Sequence, residues 1–503
     1  MLRILGSPRK LCDGWTRRDF LQVGGLGAFG LGLADAVRLS AHTGTRAHDR
    51  HFGRAKSCIL LFLYGSPSQL ETFDPKPAAP VEVRGELKSI KSNVPGLDVG
   101  ELLPNAARVM DRVTVVRSLT HPYPIHGVAF AVTGAPEIDI PMELNPRDGR
   151  HWPFIGSVIS YLESRKGGKR REVPTNLALP FPFSTRRTGE VARAGPYAAF
   201  LGGAYNPIWT EFRGKATRNV VKTLQAQKLD VAEPYMGITP ESRFELADAA
   251  APAADLTLDR LDRRRSLLKQ LDDARKSRDR ASAGRPSPGA LAADRYREMA
   301  YSLVGSPKVR QALDIGRETL KVRENYGMTL FGQGCLAARR LVEAGSRFVT
   351  VFWDEYGLAG SGWDTHWEHY PRMKNELCPG FDRALYGLLT DLDARGLLDE
   401  TLVVCLSEHG RTPKLSAANG GGRDHWSQVY SCVLAGGGIA RGRVVGKSDK
   451  IAGSVAERPV SPKDILATIY HLLGIDPETT LNDRIGRPLP LVPGASVVRE
   501  VLA

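Results

Sequence analysis

The stretch LLDETLVVCLSEHGRTPKLSAANGGGRDHWSQVYSCVLAGGG, residues 397–438, constrains this chain more than any other. Its first apolar run, 401–406, has the length of a buried strand and delivers Glu408 and His409 just past its carboxyl end. A glycine-rich loop then brings Asp424 and His425, and a second apolar run, 429–435, stops at three glycines. In open α/β sheets ligands bind in the crevice beyond the carboxyl ends of the strands, so two acid-histidine pairs there are candidates for a metal or acid-base site.

The rest of the chain repeats the strand-helix alternation. Residues 57–64, SCILLFLY, read as a strand buried on both faces, which is how strands of a parallel sheet look in sequence. Further strands are expected at 113–116, 176–179 and 347–353, with helices at about 102–110, 334–344 and 378–393. The last helix is marked by Ser461 as N-cap, Pro462 at its first position, Asp464 in the first turn and Gly474 as its stop. Between 205 and 326 the character changes. There LTLDRLDRRRSLLKQLDDARKSRD sets Leu256, Leu258, Leu261, Leu267, Leu268 and Leu271 along one stripe of a charged helix. The expected fold is therefore α/β, a three-layer sandwich with a mostly parallel central sheet. Its two parts, 51–204 and 327–503, are separated by a helical insertion or cap at 205–326.

With 503 residues the chain can bury a full core. Its net charge of +14 invites a nucleic-acid reading, but ten basic against four acidic residues lie in 1–56 and the remainder is scattered. Without an aromatic-basic ladder or a zinc-finger spacing, a solvated basic face is the simpler reading, and no nucleic-acid partner is expected. Within 1–50, Arg17 and Arg18 precede a short glycine-rich apolar run and an Ala-x-Ala-like site at 34–36. This looks like a twin-arginine export signal followed by a mobile tail, implying passage through that export machinery to the periplasm or beyond. The run is too short for a stable membrane span. None of the six cysteines forms a CxxC, and Cys58, Cys405 and Cys432 fall within expected strands, so no disulfide framework is expected.

Three groups of acids and imidazoles follow or flank strands: Asp364 with His366, Glu408 with His409, and Asp424 with His425. His126 and the acids Glu71 and Asp74 come from two earlier strand ends. Such a set suits one or two divalent cations, with zinc, calcium and magnesium all open. Two neighbouring ions could activate water and stabilise a leaving oxygen. Arg411 and Arg423 could receive an anionic substrate on the guanidinium fork. Each pair also has a plainer reading: His409 as a turn anchor, Asp424 as a cap beside a hydrogen-bonded His425, and Asp364 with His366 as a carbohydrate or peptide contact. His121 and His369 read as structural.

The segments TRRDFL, SCILLFLYGSPSQLETFDPKP, VEVRGELKSI, VVRSLTH followed by His126 and Thr133-Gly134, GWDTH, LSEHGRTP, GRDHW and SPKDILATIYHLLGI together resemble the exported family called domain of unknown function 1501. That family belongs to the alkaline-phosphatase-like superfamily, which also holds sulfatases and phosphomutases. The resemblance covers most of the chain. It implies an alkaline-phosphatase-like core, with Asp364, His366, Glu408, His409, Asp424 and His425 around divalent metal. The superfamily's first-strand aspartate has no counterpart, Gly65 and Ser66 standing there, and only Glu71 or Asp74 could compensate. The nucleophile slot falls around Pro124 to His126. The expectation is an exported metal-dependent hydrolase of phosphate or sulfate esters, using metal-activated water or His126, with Arg411 beside the substrate. The substrate would be an anionic small molecule or polysaccharide ester. The alternative is a non-catalytic envelope binding or scaffold protein on a degenerate site. Protein isolated from its native cells should begin beyond residues 34–36, as N-terminal sequencing would show; a cytoplasmic chain beginning at Met1 would refute export.

Overall fold

The run SCILLF forms β1 (Ser57–Phe62), every residue of which is buried. In the computed structural model the residues described are 49–166, 172–188, 193–224, 227–232, 236–247, 306–354, 357–358, 362–483 and 485–503. Of the export signal and tail expected in 1–50, residues 1–48 lie outside them, as does the charged helix expected from residue 256. The chain divides at residue 50, and every element below belongs to the second unit, His51–Ala503.

Eight further strands join β1: β2 (Val113–Leu119), β3 (Asn176–Leu179), β4 (Ile208–Arg213), β5 (Arg243–Leu246), β6 (Phe348–Phe352), β7 (Thr401–Leu406), β8 (Tyr430–Ala435) and β9 (Arg443–Val445). Their order is β5-β4-β3-β6-β1-β7-β8-β2-β9. β1 pairs in parallel with both β6 and β7, and the parallel run extends through β3 to β4. β8 is antiparallel to β7 and to β2, and β5 is antiparallel to β4. The reversal of β8 matters most, because its amino end lies at the rim where its neighbours' carboxyl ends lie.

Side chains alternate across the sheet and build two cores. Ile59, Leu61, Val403 and Cys405 face α2 (Leu330–Glu343) and α3 (Cys378–Ala394). Cys58, Leu60, Phe62, Leu402, Val404 and Leu406 face α1 (Ile155–Arg165) and α4 (Pro462–Leu472). This is the expected three-layer, mostly parallel α/β sandwich. α4 has the predicted cap: the Ser461 hydroxyl accepts from the Asp464 backbone N–H while the Asp464 carboxylate accepts from that of Ser461. α2 begins four residues earlier than expected because Thr329 caps it, accepting from the Gly332 N–H. The helix expected near 102–110 is a 3-10 helix, Ala106–Arg112.

The described parts of 205–326 are not all helical. IWTEFR and RFEL extend the central sheet as β4 and β5, and Asn219–Leu224 pairs with Gln227–Ala232 as a hairpin. In IWTEFR, Ile208, Thr210 and Phe212 supply β-branched and aromatic residues at period two, a strand signal that the neighbouring charged repeat obscured. Among the described residues no helix is long and apolar enough to cross a membrane.

Leu60 is fully buried at the sheet's centre, so Leu60→Ala should cost about 2–5 kcal/mol, measured as a lower urea midpoint with an unchanged slope.

Candidate metal centre

Each strand end at this rim hands over different chemistry. β1 runs out through Gly65 and Ser66, both in the left-handed region at φ 93° and 71°. A Cβ at Gly65 would stand 2.5 Å from the backbone nitrogen of Asp364. The rim therefore has no room here for the side chain that the superfamily resemblance leads one to expect. β7 leads into Glu408 and His409, both fully buried. Beyond them a short antiparallel ladder sets Gly410 opposite Trp426 and Arg411 opposite His425, returning the chain to the inverted strand β8. His126 arrives from β2 just ahead of the helical turn Val128–Ala131.

Asp364 is the hub. Its Oδ1 lies 2.6 Å from Arg411 Nη2, 2.9 Å from His366 Nε2 and 3.2 Å from His425 Nε2, while Oδ2 lies 3.2 Å from His126 Nε2. Burial works against its charge, but His126 and Arg411 outweigh that and hold Asp364 well below the usual carboxylate range. His126 lies between two carboxylates, its Nδ1 3.0 Å from Glu408 Oε1. Burial disfavours its proton as well, yet Asp364 and Glu408 raise its pKa to about 9. At neutral pH both of its nitrogens therefore donate, and neither offers a lone pair.

The other three imidazoles behave differently. His409 Nδ1 donates to the Gly410 carbonyl at 2.8 Å, and His425 Nδ1 to the Pro124 carbonyl at 3.1 Å. His366 Nδ1 donates to Asp424 Oδ1 at 2.6 Å. A ring nitrogen facing a carbonyl must carry the proton, so Nε2 of His409 and His425 is the lone-pair nitrogen; an ionised Asp424 fixes the same for neutral His366. The Nε2 atoms of His366 and His425 meet 3.1 Å apart, and His409 Nε2 is buried with no hydrogen-bond partner. Burial lowers the pKa values of His409 and His425; Asp364, facing Nε2 of His366, raises that of His366, so a cation taken there would displace the proton held between the two. Two sets of three have ligand atoms within 4.8 Å of one another: His126, His409 and His425, and Asp364, His366 and His425. A buried lone pair calls for a donor or a cation, and with Asp364, His366 and His425 gathered beside it the residues suit the divalent metal that the superfamily resemblance implies.

Other expected residues sit elsewhere. Arg411, expected to receive substrate, is wholly buried, and its guanidinium is spent on Asp364 and the carbonyls of Gly65, Ser66 and Arg423. It is a positioning residue, because the side chain is fully buried and four of its five N–H donors are already committed. Arg423 is likewise buried and spent, on Glu71 and on the carbonyls of Thr412, Pro413 and Val83. Asp424 falls in neither ligand set; its carboxylate is 66 % exposed and orients His366. Glu408 is also outside both sets, its Oε1 accepting from the Gly65 N–H and facing His126, while Oε2 has no partner. Glu71 and Asp74 do not replace a first-strand aspartate: Glu71 pairs with Arg423, and Asp74 with Lys76 and Ser448. His121 bonds the Glu408 carbonyl and His369 bonds the Thr365 hydroxyl.

Sequence reasoning missed Tyr64, whose ring centroid lies 5.2 Å from that of His126, and Pro124, whose carbonyl fixes the tautomer of His425. Backbone acceptors leave no residue-type signal, so Pro124 was not findable by motif.

Residues 55–502 match the family described as Protein of unknown function (DUF1501), and the chain belongs to that family. No curated protein matches it. Among solved structures it is similar to Ps i-CgsB at 10 % identity, over 83 % of this chain and 72 % of that one, with a TM-score of 0.36. It is also similar to the sulfatase PsFucS1 from Pseudoalteromonas sp. at 12 % identity, over 84 % and 68 %, with a TM-score of 0.34. A third is the phosphonate monoester hydrolase SpPMH from Silicibacter pomeroyi, 12 % identical over 39 % and 50 %, with a TM-score of 0.22. Likeness at this level carries no chemistry to this chain.

Behind the rim, Arg423 Nη2 meets Glu71 Oε1 at 2.6 Å, both residues being buried. Burial opposes the Glu71 charge, but Arg423 and His369 outweigh it and lower its pKa from 4.5 to about 2. A depressed carboxylate stabilises the fold fully above its unfolded value. This contribution should therefore be present above pH 4.5 and fade as pH falls toward 2. Glu71→Gln should cost about 3–5 kcal/mol at neutral pH by leaving Arg423 buried and unpaired, and should flatten the acid limb of a denaturation series.

Proposed function

We propose that this chain is an exported metal-dependent hydrolase of phosphate or sulfate esters, with an anionic small molecule or polysaccharide ester as substrate. The observation that carries the reading is the convergence of the Nε2 atoms of His366 and His425 on the Asp364 carboxylate, with the His409 ring beside His425. A divalent ion, when bound there, would supply Lewis acidity and lower the pKa of water. Asp364, His366 and His425 would hold it, and Asp424 would keep His366 in the ligating tautomer.

The arrangement favours metal-activated water over His126 as nucleophile, since both His126 nitrogens are held by carboxylates. His126 instead keeps a proton beside the reacting centre and can give it to the leaving oxygen as a general acid. Arg411 acts through Asp364. The non-catalytic reading draws on one observation: the two arginines nearest the rim are turned inward, leaving substrate capture to other groups.

Metal analysis of the purified protein with a phosphatase and sulfatase panel tests the proposal. His425→Ala should lose metal and activity together. His126→Ala should keep its metal and lose about 10²–10⁴ in turnover, the usual worth of a positioned acid. Equal activity in wild type and both variants would end the hydrolase reading.

A further inference from the structure

Building on the reading of this rim as a cation site, we infer that it takes a single borderline transition-metal ion of the zinc class and refuses calcium and magnesium. The ligands are Asp364 Oδ1, His366 Nε2 and His425 Nε2, three protein groups that leave a fourth position open.

The first argument is spacing. The three leading atoms form a nearly equilateral triangle with sides of 2.9, 3.1 and 3.2 Å. Ligands held about 2.0–2.1 Å from a tetrahedral zinc stand about 3.3–3.4 Å from each other, so this triangle is within a few tenths of an ångström of one face of such a site. His409 approaches the same imidazole from the side, its ring centroid 4.5 Å from that of His425.

The second is donor chemistry. Two imidazole nitrogens with one carboxylate oxygen, and a third imidazole beside them, are a nitrogen-rich set. Calcium needs about six to eight oxygens and magnesium a near-octahedral shell dominated by oxygen, neither of which these side chains provide. Each of the three histidines has its Nδ1 committed to an oxygen: the Gly410 carbonyl, the Pro124 carbonyl or the Asp424 carboxylate. Such bonds fix the tautomer and raise ligand basicity, as is usual at imidazole-bound metals.

The third concerns number. His425 belongs to both groups of converging ligand atoms, and with Nδ1 donating to Pro124 it has one lone pair to give. It can serve one ion, so the two groups cannot both be filled. A second ion bridging Asp364 Oδ2 and Glu408 Oε1 would need the space between them, where the His126 ring already lies, 3.2 and 3.0 Å from those oxygens.

The test is calorimetry on metal-stripped full-length protein with zinc, cobalt(II), calcium and magnesium in turn, with bound metal counted after dialysis. One equivalent of zinc or cobalt per chain is expected, the cobalt form showing the intense visible absorption of a tetrahedral site. Calcium and magnesium should give no binding heat. His425→Ala should lose the site. Asp424→Ala, altered at a 66 % exposed carboxylate, should keep its fold by circular dichroism and bind zinc about 10–100-fold more weakly. Two equivalents at saturation, calcium binding on a par with zinc, or wild-type zinc affinity in His425→Ala would each overturn the inference. The hydrolase reading fails separately: one bound zinc without turnover on any ester removes that reading and leaves this one, whereas turnover with calcium does the reverse.

Discussion

A buried carboxylate governs this rim. Asp364 has almost no contact with water, so its charge survives only because Arg411, His126, His366 and His425 surround it. The same guanidinium that steadies it also grips the carbonyls of Gly65 and Ser66 where β1 ends. One electrostatic knot thus fastens the exits of β1 and β7, the entry of β8 and the loop after β6. None of the imidazoles has an independent position, because each is aligned by an oxygen that this knot or a nearby backbone turn holds still.

Topology explains why ligands far apart in sequence meet. Parallel strands put their carboxyl ends on one edge, which brings together groups following β1, β2, β6 and β7. His425 precedes its strand, and in an all-parallel sheet it would emerge at the opposite edge. The reversal of β8 returns it to the rim. The chain between β7 and β8 therefore contributes twice, with Glu408 and His409 on the way out and His425 on the way back.

Much of this was legible. SCILLF, TLVVCL and YSCVLA are too apolar for anything but interior strands, and acid-histidine pairs at their ends pointed to the rim. Less visible was the direction in which each side chain is spent. Arginine in a polar loop reads as a substrate clamp, yet Arg411 and Arg423 face inward to backbone carbonyls that no residue type advertises. Asp424 and His425 are neighbours in sequence but differ in task, one exposed and orienting, the other converging on the centre. The strands β4 and β5 were hidden because a charged helical repeat dominated the composition around them. The role of Gly65 emerges only with the approach of the Asp364 loop, a contact between residues 299 positions apart in sequence.

The two-residue ladder that sets Arg411 opposite His425 also makes this centre sensitive to phase. Adding or removing one residue on either arm between the ladder and its parent strand would turn His425 to the far side of the ribbon, since neighbouring strand side chains point in opposite directions. Beyond the ladder, the segment from Lys414 to Gly420 is tied in turn: Leu415 donates to the Glu82 carbonyl, Ser416 bridges Gly422, and the carbonyls of Asn419 and Gly420 accept from the N–H groups of Glu368 and Tyr370. A tag inserted at that tip would therefore tug on the loop that carries His366 instead of riding clear of it.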